Sequence, residues 1–227
     1  MKKLALIVAA GNGSRMNRNI PKQFLLLRNK PVLYYTIQAF MEAYADMEII
    51  LVLPEDYIAN GQEIIDGYFD NSRIRICSGG RTRFHSVQKG LALIEEECII
   101  FVHDGVRCLV SPDLLRRCYE NAVAQGTAIP VVPCKDSLLL LTEHESTSQD
   151  RDNVRLVQTP QTFQSKILLP AFNIDYKDQF TDEASVIEAF GLKVYLIDGQ
   201  PDNIKITTEM DLFVAERILE LTEKVDV

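Results

Sequence analysis

The chain has 227 residues, 47% of them hydrophobic and 25% charged, with a formal net charge of −8. This is the composition of a globular domain of moderate size, and its acidic balance argues against wrapping nucleic acid or lying on an anionic membrane. The five cysteines show no C-x-x-C spacing, so neither a disulfide framework nor a zinc site is expected and a reducing cytoplasm is the simplest home.

The opening MKKLALIVAAG imitates a secretory signal, but its apolar stretch is short and runs directly into GNGSR. A first buried strand at residues 4–8 accounts for it better. No later run approaches the length needed to span a bilayer. Further short, β-branched runs predict strands at 48–53 (EIILVL), 73–77 (RIRIC), 98–102 (CIIFV) and 127–132 (TAIPVV). Between them, helical spacing covers 32–43, 83–95 and 112–124, with Ser111 as an N-cap and Pro31 and Pro112 where a first turn tolerates proline. A last helix over 209–224 places Leu212, Ala215, Ile218, Leu219 and Leu221 on one face. Alternation of this kind predicts an α/β fold with a mainly parallel sheet flanked by helices.

The alternation breaks at 134–158, where two strand-like pieces flank the polar stretch HESTSQDRD. This reads as a β-hairpin arm inserted into a single domain spanning 1–227. Four consecutive leucines, 138–141, are too apolar for a free hairpin, and a second copy of the chain is the economical cover.

In open α/β sheets the ligand crevice lies beyond the carboxyl ends of the strands. Those ends carry AAGNGSR, SGGRTR and HDGVR, three Arg-bearing glycine loops. Gly11 and Gly13 turn the backbone tightly and aim N–H groups at an anion, while Arg15 and Lys22 add positive charge where a polyphosphate would lie. The first loop fits neither the dinucleotide fingerprint nor the P-loop, and alone it would serve equally as a plain βα turn. Gly79 and Gly80 permit close approach of a flat group, and Ser86 offers a hydroxyl. Asp104, just past a buried strand, suits Mg²⁺, which takes one or two carboxylates plus phosphate oxygens; a turn cap is the alternative. Thr159 in QTPQTF, Thr181 in TDEAS and Lys205 in DNIKIT could bind a polyol phosphate or act as caps and surface residues.

Taken in order, AAGNGSRM…PKQ, GGRTRFHSV, VHDGVR, QTPQTF, TDEAS and DNIKIT resemble the 2-C-methyl-D-erythritol 4-phosphate cytidylyltransferase family from residue 4 to about residue 211. The resemblance implies a Rossmann-like nucleotidyltransferase fold, a homodimer with exchanged arms, and Mg²⁺-dependent transfer of CMP from CTP to a polyol phosphate. It places Ala9, Ala10, Gly11, Asn12 and Gly13 against the CTP phosphates, with Arg15 and Lys22 at the reacting centre. Gly80 and Ser86 fall at cytidine-contacting positions, and Asp104 at the metal and substrate site. Arg107, Ser137 and Lys205 fall near the polyol, Lys205 also with a catalytic part, while Arg151, Thr159 and Thr181 would hold the substrate phosphate from the neighbouring subunit. The chain departs from the family pattern at Cys108 (usually Pro), Ser137 (commonly Thr) and Arg81 (often acidic). Ribitol-5-phosphate cytidylyltransferase is the neighbouring alternative, against which AAG rather than AGG counts. A non-catalytic nucleotide-binding module is the alternative of another class, against which Arg15, Lys22 and Asp104 count.

Overall fold

The structure is a computed structural model describing residues 1–11, 20–142 and 145–225. Chain order gives β1 (Lys2–Val8), a β2 (Leu26–Leu27) and β3 (Lys30–Pro31) ribbon, α1 (Val32–Ala43), β4 (Met47–Leu53) and α2 (Ile58–Tyr68). Then come β5 (Ile74–Ser78), α3 (Arg83–Leu91), β6 (Cys98–Asp104), α4 (Pro112–Gln125) and β7 (Thr127–Pro133). The second half holds β8 (Leu138–Leu141), β9 (Ser146–Gln149), β10 (Arg155–Val157), β11 (Gln161–Gln164), α5 (Ser165–Ala171), α6 (Glu183–Ala189), β12 (Leu196–Asp198) and α7 (Glu209–Val225).

The main sheet runs β5–β4–β1–β6–β11–β7, with β10 and β12 added on β7. Strands β5, β4, β1 and β6 are mutually parallel, and β11 lies antiparallel between β6 and β7. The sheet is therefore mainly parallel, as the alternation predicts. Its central strands read as unbroken apolar runs because both faces are covered. Alternate residues separate cleanly: Ala5, Ile7, Ile99 and Phe101 pack with α1, α2 and α4. Leu4, Leu6, Ile100 and Val102 pack with α3, α5 and α6 on the other side. Each fully buried Leu, Ile, Val or Phe among them stabilises the fold by roughly 1.5–3 kcal/mol.

Helix α4 shows why the local signals were readable. Its N-cap is Ser111, whose Oγ accepts from the Leu114 N–H at 3.1 Å, Pro112 opens the first turn, and Gly126 ends the helix at φ +90°. Ser111→Ala should therefore cost about 1 kcal/mol, read as a lower denaturant midpoint at constant slope. An unchanged midpoint would leave the cap without energetic weight.

The arm differs from expectation in one respect. The partner of β8 is β9, drawn from the polar stretch itself, and the two form a separate two-stranded sheet. The VRLV piece that looked like the second arm strand instead returns as β10 to pair with β7. Strand β9 is exposed along its whole length, so nothing in its side chains alternates. Within the single chain, Leu139, Leu140 and Leu141 are 65%, 57% and 73% exposed. Among the described residues, no helix is long and apolar enough to cross a membrane.

Candidate active site

Strand order reverses at β1, which has β4 on one side and β6 on the other. The crevice of such a sheet opens there. The parallel ladders bring three loops to a common level: Val8 is in register with both Val52 and Asp104, and Leu53 with Ser78. Beyond the strands the ladder continues, with the N–H groups of Ala9, Gly79 and Gly105 donating to Val52, Leu53 and Val8 carbonyls at 2.9, 2.7 and 2.9 Å. A cleft of about 580 Å³ results, lined by Ala9, Ala10, Gly11, Lys22, Gly80, Ser86, Asp104 and Lys205 among others. Eight positions expected from four separate stretches of sequence thus face one cavity.

Two glycines are needed for that closeness. A Cβ on Gly79 would lie 2.3 Å from Cβ of Ala10, and one on Gly80 would lie 2.5 Å from Cβ of His85. Ser86 holds the loop from below: its Oγ accepts from the Gly80 N–H at 3.0 Å and donates to the Thr82 carbonyl at 2.9 Å. Arg81, the departure in this loop, donates through Nε to Nε2 of His85 at 3.3 Å. On the other side Gln23, almost fully buried, donates to the carbonyls of Ala9 and Gly11 at 2.7 and 3.3 Å. Lys22 precedes it at the start of a short 3-10 helix, so the residue that fixes the loop also aims its neighbour into the cleft. Asn12, Gly13 and Arg15 lie outside the described residues.

The floor of the cleft is a charge cluster around Asp104. Its Oδ2 meets Nζ of Lys205 at 2.8 Å and Nε of Arg107 at 3.7 Å, and its Oδ1 meets Nη2 of Arg83 at 3.3 Å. Burial opposes ionisation of Asp104, but Arg83, Lys205 and Arg107 overcome it and hold the carboxyl well below the usual range. A local basic site thus stands against an acidic background. Arg107 does not line the cleft but bridges to it, donating through Nη1 to the Asn203 carbonyl at 2.9 Å. Asn203, fully buried, donates to the Thr159 carbonyl at 2.8 Å, and Ile206 N–H to the Val106 carbonyl at 3.0 Å. These bonds pin the DNIKIT segment, and Lys205 with it, beside the Asp104 loop. Cys108, in place of the usual proline, is buried just beyond, and burial pushes its thiol up to about 12.

Thr159 is placed differently from expectation. It is buried, and its Oγ accepts from the Asp104 N–H at 3.0 Å while contacting Nδ1 of His103 at 3.0 Å. Nε2 of His103 lies 3.0 Å from the Arg107 carbonyl, so that nitrogen carries the proton and Nδ1 accepts from the Thr159 hydroxyl. Burial lowers His103 to about 4, keeping it neutral. The Thr159 hydroxyl is fully engaged within its own chain, supporting Asp104 from behind rather than facing a substrate. Ser137 and Arg151 are exposed on the arm, where Arg151 donates to the Lys135 carbonyl at 3.1 Å, and Thr181 is exposed before α6. None of the three lines the cleft of its own chain. Gln23, Arg83, Glu183 and Asn203 were not singled out in the sequence, although PKQ, GGRTR, TDEAS and DNIK contain them.

As to a metal, the described residues contain no group of three or more His, Cys, Asp or Glu that could hold one. Three carboxylates line the cleft, Glu55, Asp56 and Asp104, and of these Asp104 is the one set in the charge cluster beside Lys205. That fits a divalent cation arriving on a polyphosphate, which supplies most of its own oxygen ligands, and not a preformed protein cage.

Comparison with known proteins agrees with this geometry. The profile of the 2-C-methyl-D-erythritol 4-phosphate cytidylyltransferase family matches residues 4–221. The enzyme of that name from Phocaeicola vulgatus is 44% identical over 219 residues, covering 96% of this chain and 100% of that protein. Its namesake from Clostridium botulinum strain Langeland is 39% identical over 224 residues, covering 96% and 98%. Among solved structures, 4-diphosphocytidyl-2C-methyl-D-erythritol synthase from Anaerococcus prevotii superposes with a TM-score of 0.81 at 29% identity, covering 96% of each chain. The Francisella tularensis cytidylyltransferase gives 0.79 at 31% identity, covering 96% and 99%. The fold is that of the Rossmann-like nucleotidyltransferases, and by sequence and structure alike the chain belongs to the 2-C-methyl-D-erythritol 4-phosphate cytidylyltransferase family.

Proposed function

We propose that this chain transfers CMP from CTP to 2-C-methyl-D-erythritol 4-phosphate, releasing pyrophosphate, in isoprenoid precursor synthesis. The observation that carries the reading is the meeting of the Ala9–Gly11 loop, Lys22, Asp104 and Lys205 on one cleft of nucleotide size. A phosphate oxygen of the polyol attacks the α-phosphorus of CTP in line. A new P–O bond forms, the bond from the α-phosphorus to the bridging oxygen breaks, and that oxygen leaves with the pyrophosphate. The attacking phosphate is largely ionised near neutral pH, its second pKa being about 6, so no strong general base is needed.

The protein's task is to bring two polyanions together and stabilise charge on the five-coordinate phosphorus. In this reading the cytosine lies against Gly80 and Ser86, the triphosphate against the Ala9–Gly11 backbone, and Lys22 at the reacting phosphorus. Arg15 would join it from outside the described residues. Lys205, held on Asp104, orients the polyol, and Arg107 supports it from behind through Asp104 and the Asn203 carbonyl. Mg²⁺ held by Asp104 and phosphate oxygens would neutralise charge on the triphosphate. The arm's exposed leucines would be covered by a second copy, bringing Arg151 of the partner subunit to the substrate phosphate and Ser137 of the partner subunit near the polyol. The expected setting is the cytoplasm.

A pyrophosphate-release assay tests this, pairing methylerythritol phosphate and ribitol phosphate in turn with each nucleoside triphosphate. CTP with methylerythritol phosphate should give the highest kcat/KM; a preference for ribitol phosphate would replace the polyol, and no turnover with any pair would leave a binding module. EDTA should abolish activity and Mg²⁺ restore it. In Asp104→Asn the Mg²⁺ concentration for half-maximal rate should rise; an unchanged titration would remove Asp104 from the metal.

A further inference from the structure

Glu183 and Asp104 are the two buried carboxylates among the described residues. The reaction above uses Asp104 and gives Glu183 nothing to do. The Glu183 side chain is only 1% exposed and does not line the cleft, so it meets no substrate. Both of its oxygens are instead taken by one guanidinium: Oε1 accepts from Nη1 of Arg83, and Oε2 from Nη2 at 3.1 Å. The other edge of that guanidinium, Nε and Nη2, donates to Oδ1 of Asp104 at 3.3 Å each. Arg83 thus spends two edges on two buried carboxylates. Such a planar fork fixes orientation in a way a point charge cannot.

We infer that Arg83, clamped by Glu183, is a positioning residue for nucleotidyl transfer: it fixes the rotation of Asp104 and so places Lys205 against the polyol phosphate. The inference rests on the function proposed above. With Oδ1 held, Oδ2 is left as the oxygen that anchors Nζ of Lys205 at 2.8 Å. Glu183 has a second consequence. It opens α6 two residues after Thr181, and α6 is locked from the opposite side by Gln161. That side chain donates to Asp182 at 2.8 Å and accepts from the Ala184 N–H at 2.7 Å. The Thr181 segment and the GGRTR loop, about a hundred residues apart, are therefore joined through one ion pair. Arg83 does line the cleft, but four of its five N–H groups donate within the cluster, leaving one on Nη1, so its main engagement is with the two carboxylates. Without Glu183, the guanidinium would bear on Asp104 alone or turn to the triphosphate, and Lys205 would lose its fixed anchor.

Glu183→Gln tests this by keeping shape and removing charge. The KM for the polyol phosphate should rise about tenfold and kcat fall about tenfold, while KM for CTP stays within about twofold. A merely structural role would reduce the amount of folded enzyme, lowering apparent kcat with both KM values unchanged; that result overturns the inference. Should Glu183→Gln not fold, Arg83→Lys keeps the charge but loses the fork, and the same split is expected. Wild-type constants in Arg83→Lys would overturn it. Combining Arg83→Lys with Asp104→Asn should cost no more than Asp104→Asn alone, because Arg83 acts through Asp104. Additive losses would make Arg83 a direct substrate contact and also overturn it. The ratios are read on whichever polyol phosphate the unmodified enzyme turns over, so a wrong substrate and a wrong role for Arg83 fail separately.

Discussion

Replacing Lys22 with Ala should lower kcat for CMP transfer by on the order of a hundredfold to a thousandfold, roughly 3–4 kcal/mol, the scale for removing one preorganised contact to transition-state charge. The residue lines the cleft at the start of a 3-10 turn, next to Gln23, whose amide holds the Ala9 and Gly11 carbonyls. Its ammonium is therefore carried on a segment tied to the nucleotide loop. Charge on the non-bridging oxygens is greatest when five oxygens surround the α-phosphorus, so a cation there is worth more in the transition state than in the bound substrate. CTP binding should weaken far less, since the loop amides remain. The check is kcat by pyrophosphate release beside Kd for CTP by calorimetry. Near-normal kcat in Lys22→Ala would falsify its placement at the reacting centre. A matched loss in Kd alone would make it a ground-state contact. Gln23→Ala gives a useful contrast: it should impair both quantities, because it loosens the loop itself.

The difference between Lys22 and Gln23 also marks how far the sequence could be read. Lys22, Gly80, Asp104 and Lys205 were legible because each stands in a short polar loop, and three of those loops directly follow an apolar strand. A parallel sheet carries the carboxyl ends of such strands to one edge, whatever else the fold does. Gln23 and Arg83 sit in the same loops, but their partners are backbone carbonyls and a glutamate a hundred positions away. Pairings of that kind leave no local pattern. Thr159 shows the opposite error. A hydroxyl beside a proline in QTPQTF reads as a candidate ligand, and only the fold reveals that Asp104 and His103 have already taken it. Strand β9 escaped because period-two alternation arises from burying one face, and Ser146–Gln149 bury neither. Helix α4, by contrast, carries its own start and stop in Ser111, Pro112 and Gly126, and could be placed from them alone.

Mixing two variants that are each nearly inactive at low polyol-phosphate concentration should restore activity, assayed at that concentration, if arms are exchanged between copies. Leu139, Leu140 and Leu141 are exposed on the hairpin, and an apolar strip of that kind is costly to leave in water. Arg151 follows β9 on the same arm and does not line its own chain's cleft, yet its guanidinium is the kind of group that grips a phosphate through paired hydrogen bonds. If Arg151 of the partner subunit completes the polyol-phosphate site, Arg151→Ala should raise KM for that substrate and leave KM for CTP nearly unchanged. The arrangement has a stricter consequence. Each cleft would then draw Lys22 from one chain and Arg151 from the other. Combine Arg151→Ala chains with Lys22→Ala chains and let subunits exchange. In a mixed dimer one cleft receives both substitutions and the other receives neither, so about half of the wild-type activity should return per mixed dimer. Exchange itself is followed independently, by mass spectrometry of differently tagged chains. A local role for Arg151 would leave every cleft of every dimer carrying one substitution or the other, and no activity would return however completely the chains mixed. Demonstrated exchange without recovery would therefore confine Arg151 to its own chain and leave the leucine strip to be covered in some way that does not build the active site.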